Sequence, residues 1–248
     1  MAEKRCLVAI CHNLPAVLRG SAQSLMEMGW GDRVAVAKEA HGVAAIDFAW
    51  YFNYPRVDAL RDCAASDAIK DGYTHILYLD ADMIWPSNVL WKMLKHADDT
   101  RVVGGHYVMK HQPYGAVALL NKHRQPGSNV DVFEHADLRN VRELVEVDVV
   151  GMGCTLVPVA LIEAMGERPW FEYKDDDEGW PRVTEDVAFC LRAKEVGGTV
   201  WVDPTVQCGH LVTQVIDHRW TNRHRLVVEE TAKHMTMTTA PAVEGHPV

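Results

Sequence analysis

The chain has 248 residues, 48% hydrophobic and 24% charged, with a formal net charge of −9. That is enough apolar side chain for one large domain or a domain with a small appendage. The acidic balance argues against a general polyanion binder, although it leaves room for a local basic patch.

In chain order, the apolar run 6–11 is too short for a signal segment, and 6–10 reads as a first strand. Residues 14–28 read as a helix with Val17, Leu18, Leu25 and Met26 on one face and Gly29 near its end; 33–37 ("RVAVA") reads as a second strand. A helix over 55–70 opens on Pro55, carries Val57, Leu60, Ala64 and Ala68 at helical spacing, and stops at Gly72. Residues 75–79 form a third strand, and 86–96 a short helix with Val89, Leu90, Met93 and Leu94 apolar. This alternation predicts a parallel sheet with helices on its faces and a ligand site outside the carboxyl ends of the strands.

Further on, 101–108, 116–121, 130–133 and 144–150 read as strands, and "GMGCTLVPVALIEAM" as a strand followed by a helix opened by Pro158. The acidic, Gly- and Pro-containing stretch 171–182 reads as a mobile loop beside the site. Thr184 reads as the N-cap of a helix to about 196, ended by Gly197 and Gly198. Short strands at 200–202 and 206–209 flank Asp203-Pro204. The expected organisation is a main domain over 1–211, a helical extension over 212–234 and a polar, disordered tail over 235–248. No apolar run approaches the ~18–20 residues of a membrane span. Six scattered cysteines without a CxxC pair indicate a reduced, cytoplasmic protein.

The stretch "THILYLDADMIWP" (74–86) carries an apolar strand straight into two acids one residue apart. Asp80 and Asp82 can point the same way where the chain turns out of the sheet, and two hard oxygen ligands suit Mg²⁺ or Mn²⁺, especially a metal that also holds a diphosphate. Two other readings stand beside this one: solvated acids in a turn, and the nucleophile motif of a haloacid-dehalogenase-type phosphatase. The latter belongs to the first strand of its core, whereas two strand–helix units precede Asp80. Later, "VTEDVAFCLRAKEVGG" puts Glu185 and Asp186 in the first turn of a helix, where the dipole favours acids in any case. "VDPTVQCGHL" ends a strand on His210, whose imidazole suits a metal already holding carboxylates.

Together "ILYLDADM", "VDVVGMGCTLVP", "TEDVAFCLRAKEVGG" and "VDPTVQCGH" resemble the GT-A nucleotide-sugar glycosyltransferases, particularly small stand-alone members similar to glycosyltransferase family 2, over roughly 5–211. The resemblance implies an α/β fold: a Rossmann-like, mixed, mainly parallel sheet flanked by helices, with a short C-terminal helical extension. It implies Asp80, Asp82 and His210 as ligands of Mn²⁺ or Mg²⁺, Asp82 the more direct, with the metal acting as Lewis acid for the departing nucleoside diphosphate. It implies Asp186 as general base, with Glu185 orienting the acceptor, and Gly151 and Gly153 as backbone lying under the donor sugar. Donor contacts are implied at Ala81, at Arg61 (where "ALRDCA" has Asp62 in place of the Asn of similar sequences) and at Ile10, His12 and Asn13, beside the nucleoside. The implied donor is a nucleoside diphosphate sugar, a UDP-sugar first, and the ordinary acceptor a glycan.

Trp85 and Trp180 could cover a sugar face, Trp85 equally well belonging to the core. His106 and Lys110 of "GGHYVMKHQPYG" could line the acceptor side or a solvated turn. The basic "HRWTNRHR" (218–225) is either a solvated helix face or a phosphate contact, which would suit an acceptor such as a hydroxymethylated base in DNA. The rival readings are a nucleotidyltransferase, for which "CHNLPAVLRG" is poor in glycine and basic residues, and a non-catalytic nucleotide-sugar-binding module.

Overall fold

The first strand, β1 (Lys4–Cys11), is buried along most of its length. In this computed structural model, residues 3–12, 19–29, 31–52, 56–110, 114–121, 133–175 and 181–212 are described. After β1 come α1 (Arg19–Gly29), α2 (Gly31–His41), β2 (Val43–Tyr51), α3 (Val57–Lys70), β3 (His75–Asp80), β4 (Met83–Ile84) and α4 (Val89–Leu94). Then follow β5 (Arg101–His106), β6 (Ala118–Asn121), β7 (Phe133–His135), β8 (Val145–Val147), β9 (Val149–Val150), β10 (Cys154–Pro158) and α5 (Val159–Ala164). The described chain closes with β11 (Lys174–Asp175), β12 (Pro181–Val183), α6 (Glu185–Glu195), β13 (Thr199–Gln207) and β14 (Gly209–His210).

Seven strands form the central sheet in the order β2-β1-β3-β10-β5-β13-β8. β1 is parallel to β2 and β3, and β5 to β13, while β10 and β8 run antiparallel to their neighbours. The sheet is therefore mixed and mainly parallel, as the sequence implies. Because side chains alternate along a strand, it carries a core on each face. One core holds Leu60 and Ala64 of α3, Leu161 and Ile162 of α5 and Phe189 of α6. The other holds Met28 of α1, Ala37 of α2 and Leu90 and Met93 of α4.

The expected strand at 33–37 is a helix. Its inward residues, Val34 and Ala37, are spaced by three, and Val36 is exposed, so the alternating look of "RVAVA" is incidental. Ala, Lys and Glu around it favour the helix. Gly42, at φ +62°, ends it and releases the chain into β2, the strand that occupies the edge of the sheet. The stretch 171–182 contains β11 and β12, which pair as a short antiparallel hairpin. Residues up to Leu211 form one compact unit. The expected extension and tail, Val212 apart, lie outside the described residues.

The two short strands expected around Asp203 are one strand with a bulge. The β13–β5 register runs to Asp203↔Gly105 and then skips to Gln207↔His106. Pro204, which has no N–H to donate, sits in the excursion. Asp203 holds it in place: Oδ1 accepts from the Thr205 N–H (2.9 Å) and hydroxyl (2.7 Å), and Oδ2 from His96 Nε2 (2.9 Å) and Lys95 Nζ (3.0 Å). Burial alone would raise this carboxyl; the bonds from His96, Thr205 and Lys95 outweigh burial and hold it well below the usual range.

A carboxyl depressed in the folded state stabilises above its unfolded pKa of ~4 and loses that contribution as the pH falls toward its folded value. Asp203→Asn should therefore cost about 1.5–3 kcal/mol at neutral pH. Urea denaturation across a pH series should show the deficit of the variant shrinking below ~pH 4.

Candidate active site

The carboxyl ends of β1 and β3 open on a cleft of about 360 Å³ lined by Cys11, His12, Arg61, Asp80, Asp82 and Asp186 among others. The two-residue period along β3 puts Ile76, Tyr78 and Asp80 on the face that α3 covers, and Leu77 and Leu79 on the other. On α3, Val57, Arg61, Ala64, Ala65 and Ala68 form the inward stripe. Arg61 is thus delivered to the underside of Asp80. Its Nη2 donates to both Asp80 oxygens at 3.0 Å, and its Nη1 donates to Glu185 Oε1.

Arg61 is 3% exposed and Glu185 5%, so this is a buried ion cluster spanning two distant parts of the chain. Burial opposes the guanidinium charge, but Asp80 and Glu185 outweigh it and hold Arg61 charged. Burial also raises Asp80 above the ordinary carboxylate range; Arg61 opposes the rise and neighbouring Asp82 adds to it.

Glu185 and Asp186 open α6, as expected. Thr184 stands at the N-cap, but its hydroxyl donates to Asp186 Oδ1 and makes no cap bond to the helix backbone. The Val187 N–H donates to the same oxygen at 2.9 Å. Oδ2 has no hydrogen-bond donor among the described residues. Burial, reinforced by Glu185 beside it, raises the Asp186 carboxyl above its usual range. Glu185 is held by Arg61 and by a hydrogen bond from Tyr173. The two acids, both lining the cleft, differ in their partners: Glu185 is locked in a salt cluster, and Asp186 is held through one oxygen by its own helix start. α6 is registered by an aromatic stack beneath it. Phe189 lies parallel to Phe171 at 4.3 Å, and Phe171 meets Tyr78 edge-on at 5.4 Å. The Tyr78 hydroxyl in turn donates to the Arg61 carbonyl at 3.1 Å.

His210 reaches Asp82 through a two-residue ladder. β14 pairs antiparallel with β4, His210 opposite Met83, and the Leu211 N–H donates to the Asp82 carbonyl at 2.8 Å. His210 Nδ1 lies 2.8 Å from the Val108 carbonyl, which can only accept, so Nδ1 carries a proton and Nε2 is the nitrogen directed at Asp82. Nε2 stands 3.9 Å from Asp82 Oδ1. A carboxylate beside an imidazole whose far nitrogen is tied to a carbonyl is a donor set that fits a divalent cation. Lys110, paired with Asp82 Oδ2, supplies positive charge at the same carboxylate. Asp80, the third member of the expected ligand set, accepts from Arg61 on both oxygens, each of which keeps a further lone pair. Among the described residues no group of three or more His, Cys, Asp and Glu side chains stands ready as a metal cage.

The cleft thus gathers His12, Arg61, Asp80, Ala81, Asp82, Lys110, Glu185, Asp186 and His210. Ile10 is buried behind it, and the next residue, Cys11, lines it. His12 carries an aromatic neighbourhood, stacked on Phe52 at 5.6 Å and edge-on to Trp50 at 5.7 Å. Gly151 and Gly153 pack against Tyr107, and the cleft wall between them is Met152. A Cβ on Gly151 would collide with the Tyr107 hydroxyl, and one on Gly153 would press on that ring at 3.1 Å. Trp85 is core, its Nε1–H donating to the Gly153 carbonyl at 3.1 Å. His106 faces a different cleft. Asn13, Trp180 and 218–225 lie outside the described residues.

Sequence reasoning missed Tyr107, whose hydroxyl accepts from the Gly153 N–H at 3.1 Å and whose ring meets that of His210 edge-on at 5.4 Å. The available signal was the alternation in "GGHYVMK". It also missed the purpose of Asp62, which accepts from the Trp170 and Phe171 N–H groups at 3.0 and 3.1 Å and so seats Phe171 in the stack.

No protein-family model and no curated protein sequence matches the chain. Solved structures do. The crystal structure of A197 from STIV matches with a TM-score of 0.50 at 16% identity, over 85% of this chain and 86% of that one. That of GalNAc-T7 with UDP, GalNAc and Mn²⁺ matches with a TM-score of 0.50 at 12% identity, over 84% of this chain. The match spans only 44% of the GalNAc-T7 chain. Likeness at these identities shows the fold, and the fold is GT-A.

Removing the guanidinium should leave the buried Glu185 and the partly buried Asp80 without their shared cation. Arg61→Met is expected to lose about 3–5 kcal/mol near neutral pH. The raised folded-state pKa of Asp80 fixes the sign: its cost is fully relieved once it is protonated, so the deficit should narrow on acidification. Chemical denaturation at neutral and mildly acid pH measures both.

Proposed function

We propose that the chain is a divalent-metal-dependent glycosyltransferase that moves a sugar from a nucleoside diphosphate donor, a UDP-sugar first, to an acceptor hydroxyl. The observation that carries the reading is the convergence in one cleft of Asp82 with His210 and of Asp186 with the Arg61-locked Glu185. The GT-A fold, shared with a GalNAc-T7 solved with UDP and Mn²⁺, supports it.

Asp82 and His210 would hold the metal, Mn²⁺ or Mg²⁺, which when bound neutralises diphosphate charge and favours its departure. Lys110 adds a cation on the same side. Arg61 sets the depth of the site: by occupying Asp80 and Glu185 it leaves Asp186 as the carboxylate able to accept a proton. Asp186, ionised, takes the proton of the acceptor hydroxyl. The hydroxyl oxygen then bonds to the anomeric carbon as the bond to the nucleoside diphosphate breaks with its electron pair, a single displacement with inversion. The raised pKa of Asp186 suits a base, because it strengthens the proton affinity of the ionised form. The acceptor is a glycan hydroxyl or a hydroxymethylated base in DNA. Retention on immobilised DNA at low salt separates the two, since phosphate contacts are salt-dependent. No helix among the described residues is long and apolar enough to cross a membrane. The six free cysteines support a reducing compartment such as the cytoplasm.

Three measurements test the reading. Asp186→Asn should lower turnover by about 10²–10⁴-fold with donor binding retained. The wild-type rate should fall on acidification at a pH above the ordinary carboxylate value of ~4, because the working form is the ionised one and its pKa is raised. In a thermal-shift panel of nucleoside diphosphates, UDP should stabilise the wild type only with Mn²⁺, and the metal-dependent part should vanish in Asp82→Ala and His210→Ala. Equal stabilisation without metal, or pyrophosphate release from a nucleoside triphosphate, would overturn the proposal.

A further inference from the structure

The ribbon that walls the candidate active site has a second cleft on its other side. Val108 and Ala116 bridge antiparallel, the Met109 N–H donates to the Gly115 carbonyl at 3.0 Å, and the Val117 N–H donates to the Tyr107 carbonyl at 2.9 Å. The two-residue period of extended backbone sends Tyr107, Met109 and Val117 into the first cleft. It sends His106, Val108 and Ala116 into the second, of about 490 Å³. The two clefts share no lining residue.

Three features set this second cleft apart. Tyr114 (φ 54°) and Asn140 (φ 61°) are the non-glycine residues with left-handed backbone among the described residues, and both line it. Such conformations cluster where a fold holds side chains for a purpose, and Tyr114 is 53% exposed. Next, His106 Nδ1 is buried without a hydrogen-bond partner among the described residues. Burial lowers its pKa and so favours the neutral ring. Last, the remaining polar lining is made largely of planar groups: the amides of Asn140 and Gln207 and the guanidiniums of Arg139 and Arg142. Arg139 is already held by both oxygens of Asp137, which removes most of its attraction for an anion.

An exposed aromatic ring suits the apolar C–H face of a sugar. Neutral groups that both donate and accept suit hydroxyls, which do the same. A phosphate would call for more than one uncommitted cation. We propose that this cleft is a saccharide-binding site, with a sugar ring on Tyr114 and its hydroxyls at the amides of Asn140 and Gln207. It is separate from the transfer site and does not depend on it. The two meet only in the ribbon, whose Val108 carbonyl holds His210.

The test is ligand-observed NMR on the full chain. The probes are methyl glycosides and β-linked disaccharides of glucose, galactose, N-acetylglucosamine and N-acetylgalactosamine, with inorganic phosphate as the anion probe. At least one saccharide should bind. Tyr114→Ala and Asn140→Gly should each weaken it about tenfold or more. Glycine adopts the left-handed backbone without strain, so Asn140→Gly removes the amide while sparing the fold; its melting curve checks this. Three outcomes overturn the proposal: no saccharide bound; binding insensitive to both cleft variants; or phosphate alone bound. UDP binding, read at Asp82, is measured in parallel, so failure of the transfer reading is told apart from failure of this one.

Discussion

The buried guanidinium of Arg61 is the constraint on which the rest of the site depends. It bridges Asp80, at the end of β3, to Glu185, at the start of α6, more than a hundred residues later. Isolated, each of these charges would be costly in the interior; together they are tolerable only in this geometry. The cluster therefore fixes where α6 begins relative to the strand ends, and so where Asp186 stands. The Tyr78–Phe171–Phe189 stack beneath it serves the same end with apolar surface, and Asp62 seats the middle ring through backbone N–H groups. Polar and apolar contacts thus specify one placement of Asp186.

A second constraint acts from the opposite side. The β13 bulge held by Asp203 redirects the chain into β14, and the β4–β14 ladder brings His210 beside Asp82. Tyr107 joins the two sides: it fills the space left by Gly151 and Gly153, accepts from the Gly153 backbone and meets the His210 ring. The glycines that the resemblance places under a donor sugar are needed here for the packing of that tyrosine. The ribbon carrying Tyr107 has two working faces because extended backbone alternates. One fold element thus serves both clefts.

Much of the fold was legible in the sequence where one period dominated. The apolar run of β3, the spacing of Val57, Leu60, Ala64 and Ala68 on α3, and the Thr184 start of α6 each give one consistent reading. Legibility failed between α1 and α3. "RVAVA" alternates like a strand yet packs with the three-residue spacing of Val34 and Ala37, while the neighbouring edge strand β2 escaped notice. A short alternating run fits both periods, and only the sheet pairing decides between them.

By itself the sequence determined the chemistry available: acids at a strand end, a second acid pair at a helix start and a histidine closing a later strand. These are local facts, set by residue type and short-range period. The tertiary structure decided which of them work together. It paired Asp80 and Glu185 with Arg61, set Asp82 beside His210 and tied one oxygen of Asp186 to Thr184 and the Val187 N–H. It also sent His106 and Lys110, four residues apart, to different clefts. The physical reason is that one guanidinium can satisfy two carboxylates only if the chain brings both to it, and no local pattern encodes that meeting.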